Sequence, residues 1–247
     1  MGEVRFSHVP DVTDYMRIVV RTVCEFFGND IAKAKILDLP AGNGWISSQL
    51  AEAGATAVPA DINDERPDFV PANMERDLPF ANEEFDCVIC AEGIEHVLRP
   101  EALFSELARV LKKGGVLIIT TPNVQNLYSR YQLACTGYLF QFDPFHQEAR
   151  LKTEGLFDRG HVSPVFYTQL RYFSDLHGLK TLQPDGGRFK RKILGVLFAP
   201  LLLIGYWWAW RDWKRTSGDP GSKEIIRHLF SATTLFSRSL IFKAVKQ

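Results

Sequence analysis

The chain has 247 residues, 46% of them hydrophobic and 23% charged, values of an ordinary folded domain that exclude a disordered protein. The formal net charge of zero hides a division: residues 1–150 carry nine more acidic than basic side chains, and residues 151–247 nine more basic than acidic. A basic C-terminal part suggests an anionic partner there, such as a membrane surface, a phosphate-bearing acceptor or nucleic acid, unless it only complements the acidic part. The four cysteines, Cys24, Cys87, Cys90 and Cys135, do not read as a disulfide framework, because the Cys87–Cys90 pair lies inside an apolar strand pattern. No charged segment followed by an apolar core opens the sequence, so a cytoplasmic chain is expected.

Asp11 can cap a helix through about Phe27, in which Tyr15, Ile18, Val19, Val23 and Phe26 have helical spacing, closed by Gly28. Lys35–Leu39 reads as the first strand and Asn43–Ala53 as a helix closed by Gly54. Residues 55–60 form a second strand, expected to be short because Pro59 removes a ladder donor. Phe69–Ala72 is a weak third strand and Phe85–Ala91 a clear fourth. Pro100 opens a helix with Leu103, Leu107, Val110 and Leu111 on one face, ended by Lys112-Lys113-Gly114. Gly115–Thr121 is an apolar central strand. An irregular, aromatic-rich stretch follows until Ser163-Pro164, which caps a helix to about His177. Leu179–Leu182 and Ser239–Val245 complete seven strands. Strands alternating with helices predict an α/β fold, a doubly wound, mostly parallel sheet.

The stretch Ile36-Leu37-Asp38-Leu39-Pro40-Ala41-Gly42-Asn43-Gly44-Trp45 is the densest chemical signal. A strand ending in a carboxylate and turning through glycines into a helix brings bare backbone N–H groups to a ligand. Asp61, 17 residues after Gly44, stands near the ~20-residue offset at which an acid takes a ribose hydroxyl. The loop and the acid together point to an adenosine-containing ligand. A dinucleotide dehydrogenase is disfavoured, since the third glycine of its fingerprint would fall at Ser47.

In order and spacing these segments resemble the class I S-adenosylmethionine-dependent methyltransferases, over roughly residues 33–182 and the last strand. Asp38–Gly44 resembles that family's acidic, glycine-rich loop, with Pro40 in place of the first glycine. The resemblance implies that Asp38, Leu39, Pro40, Gly42 and Gly44 border the methionine part of S-adenosylmethionine. It likewise implies that Asp61 holds the ribose, that Ile62 packs on adenine, and that Asn73, Met74 and Glu92 lie along the cofactor. Pro40 removes one N–H near the methionine carboxylate. The segments Glu92–Val97 and Arg109–Gly115 complete the pattern. One methyltransferase domain over 1–247 is implied, with a lid or acceptor insertion over 122–163 and a basic-flanked apolar segment over 188–222.

Methyl transfer to an oxygen depends on positioning and on a base near neutral pH, which makes histidine the first candidate. His96 follows the fourth strand, with a hydrogen bond that fixes the local turn as its alternative role; His161, as base or acceptor ligand, lies in a Gly-His segment similar to that of relatives acting on sugars or lipids; His146 lies in the lid, with lid packing as its alternative. No metal ligands are read from the sequence. Residues 193–210 carry no charge, hold three tryptophans and are flanked by arginines and lysines. A span through this run conflicts with the fold, because the strands on either side belong to one sheet, so an interfacial or re-entrant membrane attachment broken near Pro200 is expected, with burial or a dimer interface as the alternative. The acceptor is then expected to be membrane-associated, such as a lipid-linked sugar or polysaccharide, with a quinone-type molecule as alternative and the enzyme at the inner face of the cell membrane. A non-catalytic cofactor-binding scaffold is the reading from another class. A nucleic-acid substrate is not expected, since Ala91-Glu92-Gly93 stands where a base-amino methyltransferase would carry Asn-Pro-Pro-Tyr.

Overall fold

A computed structural model describes residues 11–62, 66–145, 160–187, 189–216 and 220–247. Eight strands form one sheet: β1 (Lys35–Asp38), β2 (Thr56–Asp61), β3 (Val70–Pro71), β4 (Phe85–Ala91), β5 (Leu111–Pro122), β6 (Leu179–Thr181), β7 (Asp185–Gly186) and β8 (Ser239–Lys246). The order is β3-β2-β1-β4-β5-β8-β6, with β7 also on β8. The first five strands run parallel, and β8 is antiparallel to β5, β6 and β7.

The apolar strands are buried on both faces. On one face Leu37, Val88, Leu117 and Phe242 meet Leu103, Phe104 and Leu107 of α3 (Pro100–Val110) and Leu170 and Phe173 of α5 (Tyr167–Leu176). On the other, Ile36, Ile89, Ile118 and Ile241 meet Val19 and Val23 of α1 (Asp14–Phe27) and Ile46 and Leu50 of α2 (Trp45–Glu52). Adjacent residues of one strand serve opposite cores, the period-two consequence of the pleat. Cys87 and Cys90 are buried free thiols in these cores.

Several local expectations change. The α1 helix starts at Asp14 with Thr13 before it, so Asp11 is not its cap. Strand β2 runs six residues through Pro59, because its outer neighbour β3 pairs only with Ala60 and Asp61 and asks no donor of the proline. The seven-strand count becomes eight: Asp185-Gly186, which reads as a turn, pairs with Ile241 and Leu240, and Lys243 Nζ donates to Asp185 Oδ2 at 2.7 Å. Ser163 does not cap α5, whose N-cap is Phe166; its hydroxyl donates instead to the Val97 carbonyl at 2.7 Å. The stretch after β5 is not wholly irregular. It contains α4 (Leu127–Thr136), capped by Asn126, which accepts from the Ser129 N–H, and closed by Gly137 at φ 81°. The helix buries only Leu127 and Ser129, so no apolar stripe announces it. The described aromatics there form pairs, such as Tyr128–Phe140 at 5.2 Å, rather than one cluster.

The apolar run forms two helices, α6 (Ile193–Leu197) and α7 (Ala199–Thr216), followed by α8 (Pro220–Leu229) and α9 (Ala232–Phe236). Pro200 sits in the first turn of α7, where its missing N–H costs no helical bond. No described helix is long and apolar enough to cross a membrane. Phe104, fully buried and 5.6 Å from the Phe173 ring, anchors the α3–α5 face. Phe104→Ala should cost ~3–5 kcal/mol in urea denaturation; a loss below ~1 kcal/mol would contradict this packing.

Candidate functional site

Strand order reverses around β1, which has β2 on one side and β4 on the other, and a ligand crevice is expected outside the carboxyl ends of these strands. Asp38 ends β1 there, 1% exposed. Its Oδ2 accepts from Ser47 Oγ at 2.7 Å, while Oδ1 is buried without a hydrogen-bond partner among the described residues. Burial is the main cause that pushes this carboxyl up to about 7, opposed by the Ser47 hydrogen bond.

Leu39, Pro40 and Ala41 lead into a turn in which Gly42 and Gly44 have φ of 54° and 74°, the left-handed region that glycine adopts without strain. A Cβ on Gly44 would stand 3.0 Å from the Phe69 ring. The Gly42 N–H donates to Asp61 Oδ2 at 2.9 Å, and the Ala41 N–H to the Ala60 carbonyl at 2.9 Å, so the loop is tied to the end of β2. Pro40 packs against Gly93, where a Cβ would collide with the proline ring. Ile62 stands exposed just past Asp61. The Ala72 N–H donates to the Asp61 carbonyl at 2.8 Å, bringing half-buried Asn73 and Met74 to the same edge.

Glu92 follows β4 with φ of 50°, a strained conformation for a side-chain-bearing residue. Its N–H donates to the Thr120 carbonyl and its carboxylate accepts from Thr120 Oγ1 at 3.2 Å. Burial pushes Glu92 up to about 7, while the charge of Arg238 and the Thr120 bond oppose it. Glu95 is fully buried and is raised well above the carboxylate range by burial and by the charge of Glu92. Neither of its carboxylate oxygens has a partner of normal geometry among the described residues. Two buried carboxyls facing each other retain a proton between them near neutral pH.

The Glu95 carbonyl accepts from the Val162 and Ser163 N–H groups, both at 3.0 Å, and so docks the Gly160-His161 segment beside His96. The two imidazoles meet edge to face at 4.9 Å. His161 Nδ1 lies 2.9 Å from the Gln141 carbonyl. A carbonyl only accepts, so Nδ1 carries the proton and Nε2 is the basic nitrogen of the neutral ring. Glu95, His96 and His161 each offer an atom within 4.8 Å of the others, a set that could also hold a metal ion, although no metal ligands were read from the sequence. His146 lies outside the described residues.

Sequence reasoning thus names both halves of the site but misses Ser47, Thr120, Glu95 and Tyr15. Tyr15, on α1, faces Asp38, Glu92 and Glu95, and burial followed by the charge of Glu92 raises its phenol above the usual range. In the sequence it reads only as an apolar helix position; its placement in the first turn of a helix beside the crevice carries no linear signal.

A profile described as a methyltransferase domain matches residues 37–119. A demethylmenaquinone methyltransferase of Clavibacter sepedonicus is 38% identical over 119 residues, 42% of this chain and 48% of that protein. The human mitochondrial ubiquinone biosynthesis O-methyltransferase is 31% identical over 197 residues, 73% of this chain and 47% of that protein. The chain spans about half the length of the curated relatives it matches. Among solved structures, a SAM-dependent methyltransferase from Archaeoglobus fulgidus covers 94% of both chains with a TM-score of 0.56 at 16% identity. The magnesium protoporphyrin IX methyltransferase of Synechocystis with bound S-adenosylhomocysteine covers 100% of this chain and 90% of that one, with a TM-score of 0.53 at 16% identity.

The fold is Rossmann-like, as in the solved S-adenosylmethionine-dependent methyltransferase structures it resembles. Residues 37–119 match the methyltransferase-domain family, and S-adenosylmethionine is the cofactor expected from the sequence. The residues present fit it: the orphaned Asp38 oxygen suits an ammonium, the glycine turn gives backbone room, and Asp61 suits ribose hydroxyls.

Between about pH 4 and 7 folded Asp38 holds a proton that the unfolded chain has released, so its contribution to stability falls as pH rises through that window. Asp38→Asn should flatten that fall and stabilise the fold at pH 8 by ~1–4 kcal/mol, while weakening S-adenosylhomocysteine binding ~tenfold or more. Urea denaturation against pH, with calorimetric titration, reads both; an unchanged pH slope would contradict the assignment.

Proposed function

We propose that the chain catalyses S-adenosylmethionine-dependent methylation of an oxygen on a quinone-type, membrane-associated acceptor. The supporting observation is the pairing, at one sheet edge, of the Asp38–Gly44/Asp61 crevice with the His96–His161–Glu95 group. The relatives named for demethylmenaquinone and ubiquinone pathways favour a quinone-type ring over the lipid-linked sugar expected from the sequence. A lipid-linked sugar is the second reading, supported by the Thr121-Pro122-Asn123 and Gly160-His161 segments.

When bound, S-adenosylmethionine supplies a methyl group on a sulfonium, open to in-line attack by an acceptor oxygen. Asp38 would hold the cofactor's ammonium, Asp61 its ribose, and Ile62, Asn73 and Met74 its adenine end; Leu39, Pro40, Gly42, Gly44 and Glu92 would shape the rest of the bed. His161 Nε2 would take the acceptor proton, its Nδ1–H anchored on Gln141. His96 would orient that ring, and the Glu92–Glu95 pair would stabilise positive charge on the imidazoles once one carboxyl is ionised. The stretch 122–163, with His146 in it, would form the lid over the acceptor.

Incubation with labelled S-adenosylmethionine and a membrane-lipid extract tests this. Label should enter the quinone-type fraction, and His161→Ala should lower the rate ~10²–10⁴-fold with S-adenosylhomocysteine binding unchanged. Cofactor binding without label in any lipid fraction would contradict the proposal.

The membrane part rests on α6 and α7. Leu203 is 71% exposed, Ile204 57% and Trp208 56%, with Ile193, Val196 and Leu197 also open, an apolar surface ringed by Lys190, Arg191, Lys192, Lys214 and Arg215. Arg211 lies over the Trp207 and Trp208 rings at 5.3 and 5.4 Å, an arrangement suited to a headgroup layer. These helices would lie in the interface rather than cross it, at the inner face of the cell membrane. Phosphatidylglycerol-containing vesicles should float the protein, and Leu203→Glu with Ile204→Glu should leave it at the bottom of the gradient; wild-type protein left at the bottom would contradict this attachment.

A further inference from the structure

A cavity of about 150 Å³ opens between α4, the segment leading into α6, and the turn from α9 to β8. Its walls include Tyr128, Phe140, Lys190, Arg191 and Arg238, and no acidic side chain lines it. The volume is well below the ~300–1,000 Å³ of a pocket that encloses a whole ligand, so it suits one group of a larger molecule.

The Arg191 side chain is held over aromatic rings, and the backbones of Lys190 and Arg238 are fixed at the rim. The Arg191 guanidinium lies 3.7 Å from the centre of the Tyr128 ring and 5.6 Å from that of Phe140. Its backbone has φ of 54°, a strained conformation for arginine. The Lys190 N–H donates to the Phe236 carbonyl at 2.8 Å, and the Arg238 carbonyl accepts from the Asn123 N–H at 2.9 Å. Neither Lys190 nor Arg191 forms an ion pair among the described residues. Like charges gathered in a concavity with aromatic walls leave an anion as the group that relieves their repulsion.

The cavity adjoins the candidate catalytic group from two sides. Arg238 reaches far enough for its charge to lower Glu92, and Phe140 precedes Gln141, whose carbonyl holds His161. Leu194 of α6 lines the cavity, next to exposed Ile193 at the start of the apolar helices. We propose that this cavity is an oxyanion subsite for the acceptor, which is therefore an amphiphile bearing a phosphate or carboxylate away from the methylated oxygen. The anionic group sits between Lys190, Arg191 and Arg238, and its apolar chain leaves along α6. This rests on the methyltransferase reading for the word acceptor, but the subsite itself binds without any methyl transfer.

Calorimetric titration with dodecyl phosphate, dodecanoate and dodecanol tests it on the full chain. Asparagine tolerates positive φ, so Arg191→Asn removes the charge without requiring a new backbone. Lys190→Gln, at an exposed position, serves as a second variant, and S-adenosylhomocysteine titration reports separately on the cofactor site. Wild type should bind one of the two anions ~tenfold or more tighter than dodecanol, and each variant should lose most of that difference with S-adenosylhomocysteine binding unchanged. The anion with the larger difference names the oxyanion. Equal binding of all three amphiphiles, or a preference untouched by both variants, overturns the subsite. Failure of S-adenosylhomocysteine to bind wild type would overturn the methyltransferase reading instead.

Discussion

The hydrogen bond from the Gly42 N–H to the Asp61 carboxylate holds the site together. With the Ala41–Ala60 bond beside it, it joins the turn after β1 to the end of β2, so the glycine turn and the Asp61 carboxylate are set together. The turn can make it because Gly42 and Gly44 accept positive φ, and Gly44 has no room for a side chain beside Phe69. Asp61 is also pinned through its own carbonyl by Ala72, which carries Asn73 and Met74 to the same edge.

The candidate catalytic group depends on a different anchor. The backbone carbonyl of Glu95 receives two N–H groups from residues 162 and 163, and with the Ser163 hydroxyl on the Val97 carbonyl this brings a segment some 65 positions away against His96. The Glu95 side chain is buried and raised by its neighbour Glu92, so one residue fixes the segment with its backbone and the local charge with its carboxyl. Asp38, Glu92 and Glu95 all sit in a low-dielectric crevice under Tyr15. Cationic charge is the natural counterpart of such a site, and the charge of Arg238 reaches Glu92 within it.

The parts legible in the sequence are those in which local chemistry and fold agree. Strand β4 has the predicted bounds, because an apolar run between polar turns allows no other state. Asp38, the glycine turn and Asp61 stand out because a strand ending in an acid and turning through glycines is a local pattern, and the fold brings them to one sheet edge. Helix α4 was not, since it is held by an Asn126 cap and by neighbours rather than by an apolar stripe. Strand β7 exists only because β8 offers an edge, and Asp185-Gly186 alone reads as a turn. The His96–His161 contact and the basic cavity join residues from distant segments, and no spacing in the chain announces either. The exposed apolar helices, by contrast, were legible in composition, and their break falls at Phe198, just before Pro200.

The central claim is that the β1–β2 edge binds S-adenosylmethionine through Asp61 and the glycine turn. Calorimetric titration of S-adenosylhomocysteine into wild type and Asp61→Ala tests it most directly. The account predicts saturable one-to-one binding to wild type and a loss of ~100-fold or more in the variant, since two charge-assisted hydroxyl bonds and the Gly42 tether go together. Equal affinity in the two proteins, or no binding to folded wild type, would contradict it.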